Sequence, residues 1–141
     1  MTAQDALPSQ LRLAVLHLTR RLRQQVGGQI TASQLSALAA MAAAGEISLG
    51  ALAGIERIAP PSMTRIAARL EELGLVERRT DPADRRVARV AITAEGRTVL
   101  EEIRTRRDAY LAVRVDELDP DAQQVLARAV PLLERLATED R

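Results

Sequence analysis

The stretch SMTRIAARLEELGLVERRTDPADRRVARVAIT, residues 62–93, changes its hydrophobic period midway. Up to Gly74 the apolar side chains return every third or fourth position, as on one face of a helix. Wound at about 100° per residue, Met63, Ile66, Ala67, Leu70 and Leu73 gather on one side. Pro61, Thr64, Arg65, Ala68 and Glu72 fall opposite, with Ser62 and Arg69 at the boundary. Pro61 suits a first helical turn and Gly74 a C-terminal stop. Beyond Gly74 the period drops to that of a strand. LVERR reads as one short strand. In VARVAIT, Ala88, Val90 and Ile92 alternate with Val87, Arg89, Ala91 and Thr93. TDPAD between them is turn chemistry. The stretch is therefore a helix followed by a β-hairpin, with Arg78 and Arg79 at the hairpin base and Arg85 and Arg86 near its tip.

Upstream, Ser48 is a candidate N-cap for a short helix whose Leu49, Leu52 and Ile55 line one face. RIAPPS breaks the chain. Pro60 and Pro61 are not both expected inside a helix, so the next helix is placed from about Pro61. Thr31 or Ser33 caps an earlier helix bearing Leu35, Leu38 and Met41, which stops at Gly45. The first helix is expected from Leu7 to Val26, on the stripe Leu11, Val15, Leu18, Leu22 and Val26. Leu13 and Leu16 add a second apolar face, and VGGQI ends it. Downstream, Thr93 caps a long helix from Ala94 to Leu118, with Glu95 in the first turn where the helix dipole favours an acid. Asp119 and Pro120 start the last helix. It carries Val125, Leu126, Ala129, Val130, Leu133 and Leu136, and Pro131 should kink it.

Composition narrows the function. A chain of 141 residues suits one domain, and a formal charge of +1 means that any basic patch must be local. Every basic residue but His17 is arginine, whose fork grips phosphates and guanine edges. With no cysteine, disulfides and thiolate metal sites are excluded, and one histidine cannot hold zinc alone. Tyr110 is the only aromatic residue of the Phe, Trp and Tyr class, so base stacking on aromatic platforms is excluded. No segment approaches the roughly 20 apolar residues of a membrane span. MTAQDALPSQ does not read as a signal peptide, so a cytoplasmic protein with no membrane partner is expected. No nucleophile–base pair, phosphate-cradling glycine loop or metal cluster argues for an enzyme, and no cofactor is expected. His17, among leucines, reads as a partly buried histidine with a local hydrogen bond.

Two helices joined by a tight turn, the second with short outward side chains and an arginine, suit the major groove of DNA. The hairpin would lie beside the duplex. Alone, Arg85 and Arg86 read as a solvated tip; behind a helix–turn–helix they read as arms for phosphates or the minor groove. Asp81 and Asp84 would orient an arginine by a hydrogen-bonded ion pair. Arg69 has two equal readings, a phosphate contact or a salt bridge to Glu71 or Glu72. The terminal helices are apolar over too much surface for one core, which favours a two-fold interface with a second copy.

SLGALAGIERIAPPSMTRIAARLEELGLVERRTDPADRRVARVAITAEG resembles the winged-helix core of the MarR (multiple-antibiotic-resistance regulator) family of bacterial transcriptional regulators. LA at 52 and 53, SMTRIAARLEELGLVERR at 62–79, DPADRR at 81–86 and ITAEG at 92–96 carry the likeness. The resemblance implies a mainly α fold with a small β-hairpin wing. A winged helix–turn–helix lobe at 30–96 is flanked by dimerisation helices at 7–27 and 97–138, within one domain spanning 1–141. It implies a homodimer that binds a pseudo-palindromic double-stranded operator, a repressor relieved by a small lipophilic or phenolic effector. Pro61, Ser62, Thr64, Arg65 and Arg69 would belong to the recognition helix. Arg85 and Arg86 would belong to the wing, with Arg86 entering the minor groove and Asp84 bracing it. In the helix–turn–helix turn the family's usual glycine is replaced, with Arg57 near its position, which would redirect the turn or add a phosphate contact. The alternative function is a winged-helix protein–protein adaptor that does not bind DNA.

Overall fold

The computed structural model describes residues 2–138. In chain order it holds α1 (Ala3–Gln24), α2 (Ala32–Ala44), β1 (Glu46–Ser48), α3 (Leu49–Glu56), α4 (Pro60–Glu72), β2 (Val76–Thr80), β3 (Ala88–Ile92), α5 (Ala94–Asp116) and α6 (Pro120–Ala137). The strands form one antiparallel sheet in the order β1-β3-β2. This is the mainly helical, winged architecture expected. The chain divides into two compact units, Met1–Arg107 and Asp108–Arg141.

The core of the first unit follows the helical stripes read above. Leu38, Met41, Leu52, Met63, Leu70 and Val90 are its fully buried large side chains, and Leu100 and Ile103 of α5 join them. Each such side chain gains about 1.5–3 kcal/mol on burial. Val90 lies in the central strand, opposite Ile47 on one side and Arg78 on the other, which seats the sheet on the helices. Because Met63, Ala67 and Leu70 point into this core, Pro61, Thr64, Arg65 and Arg69 face out.

Several elements depart from the sequence reading. The first helix starts at Ala3, not Leu7, because Thr2 and Asp5 form a reciprocal capping box, and it ends at Gln24. Pro60 and Pro61 both lie inside α4. They occupy its first two positions, where an N–H has no intrahelical acceptor and its absence costs nothing. Ile55 is 60% exposed, and Ala53 turns inward with Leu52 instead. On so short a helix Ile55 lies about 100° from the centre of the buried arc. β1 escaped the reading altogether. α5 ends at Asp116, two residues short of the expected Leu118. His17 is exposed, not partly buried, because α1 buries none of its side chains. Pro131 lies within α6 without ending it.

Gly96 sets how closely α5 approaches the turn after α4. A Cβ there would stand 2.1 Å from the Leu75 carbonyl oxygen and 2.7 Å from Ile92 Cγ1. The backbone cannot yield to it, so Gly96→Ala should lower the unfolding free energy in urea by about 3 kcal/mol. Gly54, with open space around it on α3, provides the contrast: Gly54→Ala should raise stability by about 1 kcal/mol through helix propensity.

Candidate nucleic-acid interface

The outward face of α4 is built from short side chains and two arginines. Thr64 Oγ1 donates to the Pro60 carbonyl at 3.0 Å, tying the hydroxyl to its own helix. Arg65 donates from Nη2 to Ser62 Oγ at 3.3 Å, which steadies the guanidinium over the second turn. Arg69 pairs with Glu72 at 3.1 Å, the salt-bridge alternative of its two readings. The first turn offers nothing to a phosphate through its backbone. Pro60 and Pro61 have no N–H, and those of Ser62 and Met63 both donate to Ala59 O, at 2.9 and 3.0 Å. A helix N-terminus ordinarily supplies such donors. Here side chains must make the contacts.

The turn into α4 is set by Arg57, whose φ of 53° and ψ of 43° are left-handed, and which caps α3. Its N–H reaches Gly54 O at 3.3 Å, and Ile58 N–H reaches Ala53 O at 3.0 Å, closing the end of α3. The backbone at Arg57 thus holds the left-handed conformation that a glycine takes freely.

The wing is the β2–β3 hairpin, in register from Val76↔Ile92 to Thr80↔Ala88. Its loop closes through Asp81 N–H to Val87 O at 2.9 Å and Val87 N–H to Asp84 O at 3.0 Å. Asp81 Oδ1 accepts the Ala83 and Asp84 amides at 2.8 and 3.4 Å. Asp84 takes Arg86 on both oxygens: Nε to Oδ1 at 3.0 Å and Nη2 to Oδ2 at 3.1 Å, with the Arg86 amide also on Oδ1. Arg86 remains 90% exposed in this grip. Arg85, beside it, is exposed and makes no ion pair or hydrogen bond among the described residues. The Arg86 guanidinium and amide hold the Asp84 carboxyl below the ordinary aspartate range. The Ala83 and Asp84 amides and Arg89 do the same for Asp81 against some burial.

All eight residues proposed from sequence thus lie on α4 or the wing of one compact unit. Sequence reading missed two sets of side chains, one that joins α4 to the wing and one that joins the wing to β1. Glu71 of α4 accepts the Arg78 amide at 3.2 Å and its guanidinium at 3.3 Å. Arg89 of β3 faces Asp81 at 3.4 Å and Glu46 at 3.5 Å. The first pair spans a turn and leaves no periodic signal; cross-strand alignment of Arg79 with Arg89 could have exposed the second.

Among the described residues no group of His, Cys, Asp or Glu side chains is placed to hold a metal ion, and no helix is long and apolar enough to cross a membrane. Residues 30–88 match the family model for the MarR family. An HTH-type transcriptional regulator of Mycobacterium leprae is 38% identical over 141 residues, covering 99% of both chains. The HTH-type transcriptional repressor MdtR of Bacillus subtilis is 26% identical over 99% of this chain and 94% of its own. A solved protein of Pseudomonas aeruginosa, assigned as a transcriptional regulator, superimposes with a TM-score of 0.88. It is 35% identical, over 99% of this chain and 100% of that one.

Two outcomes test this geometry. Arg57→Gly and Arg57→Ala both remove the side chain and differ in the left-handed backbone alone, so the glycine variant should be the more stable by about 1 kcal/mol in denaturant titration. The lowered pKa of Asp84 means that its ionised form, which holds Arg86, is complete above 3.8 and is lost only as pH falls through the depressed value. A carbon-detected NMR titration should place the Asp84 midpoint below 3.8, and Arg86→Ala should return it toward 3.8.

Proposed function

The chain belongs to the MarR family of DNA-binding transcriptional regulators, and we propose that it acts in the cytoplasm as a homodimeric repressor of nearby genes. The observation that carries the DNA-binding part is the Asp84–Arg86 fork, a 90% exposed but pre-oriented guanidinium on the same unit as the outward face of α4. In this reading Pro61, Ser62, Thr64, Arg65 and Arg69 enter the major groove, with Arg65 the principal base reader. Arg86 enters the minor groove, Asp84 orients it, and Arg85 meets phosphate.

The dimer is supported by where apolar surface lies. Among the described residues every exposed large hydrophobic side chain except Ile55 belongs to α1, to Val113 on α5, or to residues 118–136. Neither α1 nor α6 holds a fully buried side chain. Leu13, Leu16 and Leu18 on α1, and Val125, Leu126, Val130 and Leu133 on α6, would be covered by a second copy. Two recognition helices would then face half-sites of a pseudo-palindrome about one helical turn apart.

A small effector would relieve repression from a cleft of about 600 Å³ in the first unit, lined by Leu22 and Arg23 of α1, Ser36 of α2, Glu56 of α3, and Arg104 and Arg107 of α5. The Arg107 Nε is buried there without a partner. A ligand spanning α1 and α2 would favour one spacing of the lobes over another.

The decisive measurement is a gel-shift titration across a salt series on the promoter DNA flanking the gene for this chain. Wild type should bind specifically, with affinity falling steeply as salt rises. Arg86→Ala should weaken binding on every sequence and flatten the log–log salt slope by about 1 per wing. Arg65→Ala should narrow the gap to non-specific DNA by about 1–3 kcal/mol. Absence of salt-sensitive binding to any genomic fragment would transfer the reading to a protein–protein adaptor.

A further inference from the structure

Arg89 differs from the other arginines of the hairpin. It stands in the central strand, opposite Arg79 across one ladder and Ser48 across the other. Like charges directly opposite on a sheet repel. On the face of the sheet opposite Val90, Arg89 nevertheless lies with its side chain only 34% exposed, between two carboxylates from distant parts of the chain. Its Nε lies 3.5 Å from Glu46 Oε1, and its Nη1 lies 3.4 Å from Asp81 Oδ2.

Each carboxylate leads elsewhere. Asp81 opens the wing turn, and its second oxygen collects the amides of Ala83 and Asp84. Asp84 then holds Arg86 by its side chain and its amide. Glu46 opens β1, and β1 ends at Ser48, whose hydroxyl accepts the Ala51 amide at 3.1 Å and caps α3. One guanidinium therefore ties the tip of the wing to the strand that enters the helix–turn–helix.

We propose that Arg89 is a positioning residue for DNA binding: without touching DNA it fixes the wing turn through Asp81 and Glu46, so that Asp84 presents Arg86 in one orientation. The inference rests on Arg86 being the DNA contact of the wing. Ion pairs this exposed add little to global stability, so the effect falls on the geometry of the wing and not on the fold.

Two measurements on the full chain test it. The first needs no DNA. In Arg89→Gln, amide hydrogen exchange at Ala83, Arg86 and Val87 should accelerate roughly tenfold while that of Leu38 and Leu70 in the core is unchanged. Unchanged exchange in the turn overturns the proposal, as does equal acceleration in the core. The second uses an A-tract duplex, whose narrow minor groove attracts arginine. Arg89→Gln should weaken binding about tenfold in the native background, and not at all when Arg86 is already alanine, the coupling expected of residues acting as a unit. Arg89→Lys, able to meet one carboxylate, should recover part of the loss. Additive losses in the double variant would mean that Arg89 touches DNA itself, or merely supports the lobe, and would overturn the proposal. Failure of wild type to bind the duplex would sink the DNA-binding reading, leaving the exchange result to decide the role of Arg89.

Discussion

The geometry of the face formed by α4 and the wing depends on a close approach between the start of α5 and the turn after α4. Thr93 makes it from both ends. Its amide donates to the Leu75 carbonyl at 3.0 Å, its hydroxyl donates to the Gly74 carbonyl at 2.7 Å, and that hydroxyl accepts the Gly96 amide at 3.1 Å. Gly96 leaves the space this needs, since any Cβ would fall on the Leu75 backbone. One threonine side chain thus caps α5 and clamps the end of α4 at once. Since β3 runs straight into Thr93, the wing, α4 and the long helix meet at a single hydrogen-bonded junction. The sequence pattern of threonine and a glycine three residues later has this packing as its cause.

Around that junction, a nearly neutral chain arranges its wing arginines against carboxylates. Arg78 is held by Glu71, Arg79 by Glu77, Arg86 by Asp84, and Arg89 by Asp81 and Glu46. The carboxylates lower the long-range attraction to phosphate, and exposed pairs add little stability. They do limit the rotamers of long side chains that otherwise lose about 2 kcal/mol of freedom on ordering. A wing so built trades bulk attraction for direction, which is the sensible exchange in a narrow groove that admits a guanidinium in few orientations.

Much of this was legible in the sequence, for identifiable reasons. α4 spans several turns with a clean stripe, and Met63, Ala67 and Leu70 are buried as their spacing requires. Thr31, Ser48, Thr93 and Asp119 accept the amides their helix starts demanded. The hairpin announced itself by a change of period and by TDPAD. β1 did not, because three residues are too few to show alternation and its pairing with β3 is long-range. The true start of α1 was hidden because its capping box precedes any apolar repeat. Ile55 misled because a helix of eight residues buries a narrow arc. The wing aspartates were legible as partners for arginines, but not which arginine each would take. Asp81 reaches Arg89, eight residues on, only because the turn folds it back across the sheet.

The helix–turn–helix shows how far local departures can be absorbed. Arg57 holds a left-handed conformation that costs about 1–2 kcal/mol outside glycine, and the chain retains it because Ile58, next in line, packs against the core and closes the end of α3. The following prolines remove two donors from the start of α4, and Ala59 O takes the next two. Backbone recognition of phosphate at this helix end is thereby given up, while the first turn gains a rigid, apolar leading edge. Pro61 is exposed there beside Ser62, and Arg65 is the one outward cation of α4 without a carboxylate partner among the described residues. In the proposed reading, discrimination between base pairs would then rest on a few side chains, with Arg65 as the polar reader and the proline edge suited to thymine methyl groups. The core beneath closes without any side chain from α1 or α6. The apolar surface of those two helices can therefore vary without opening that core.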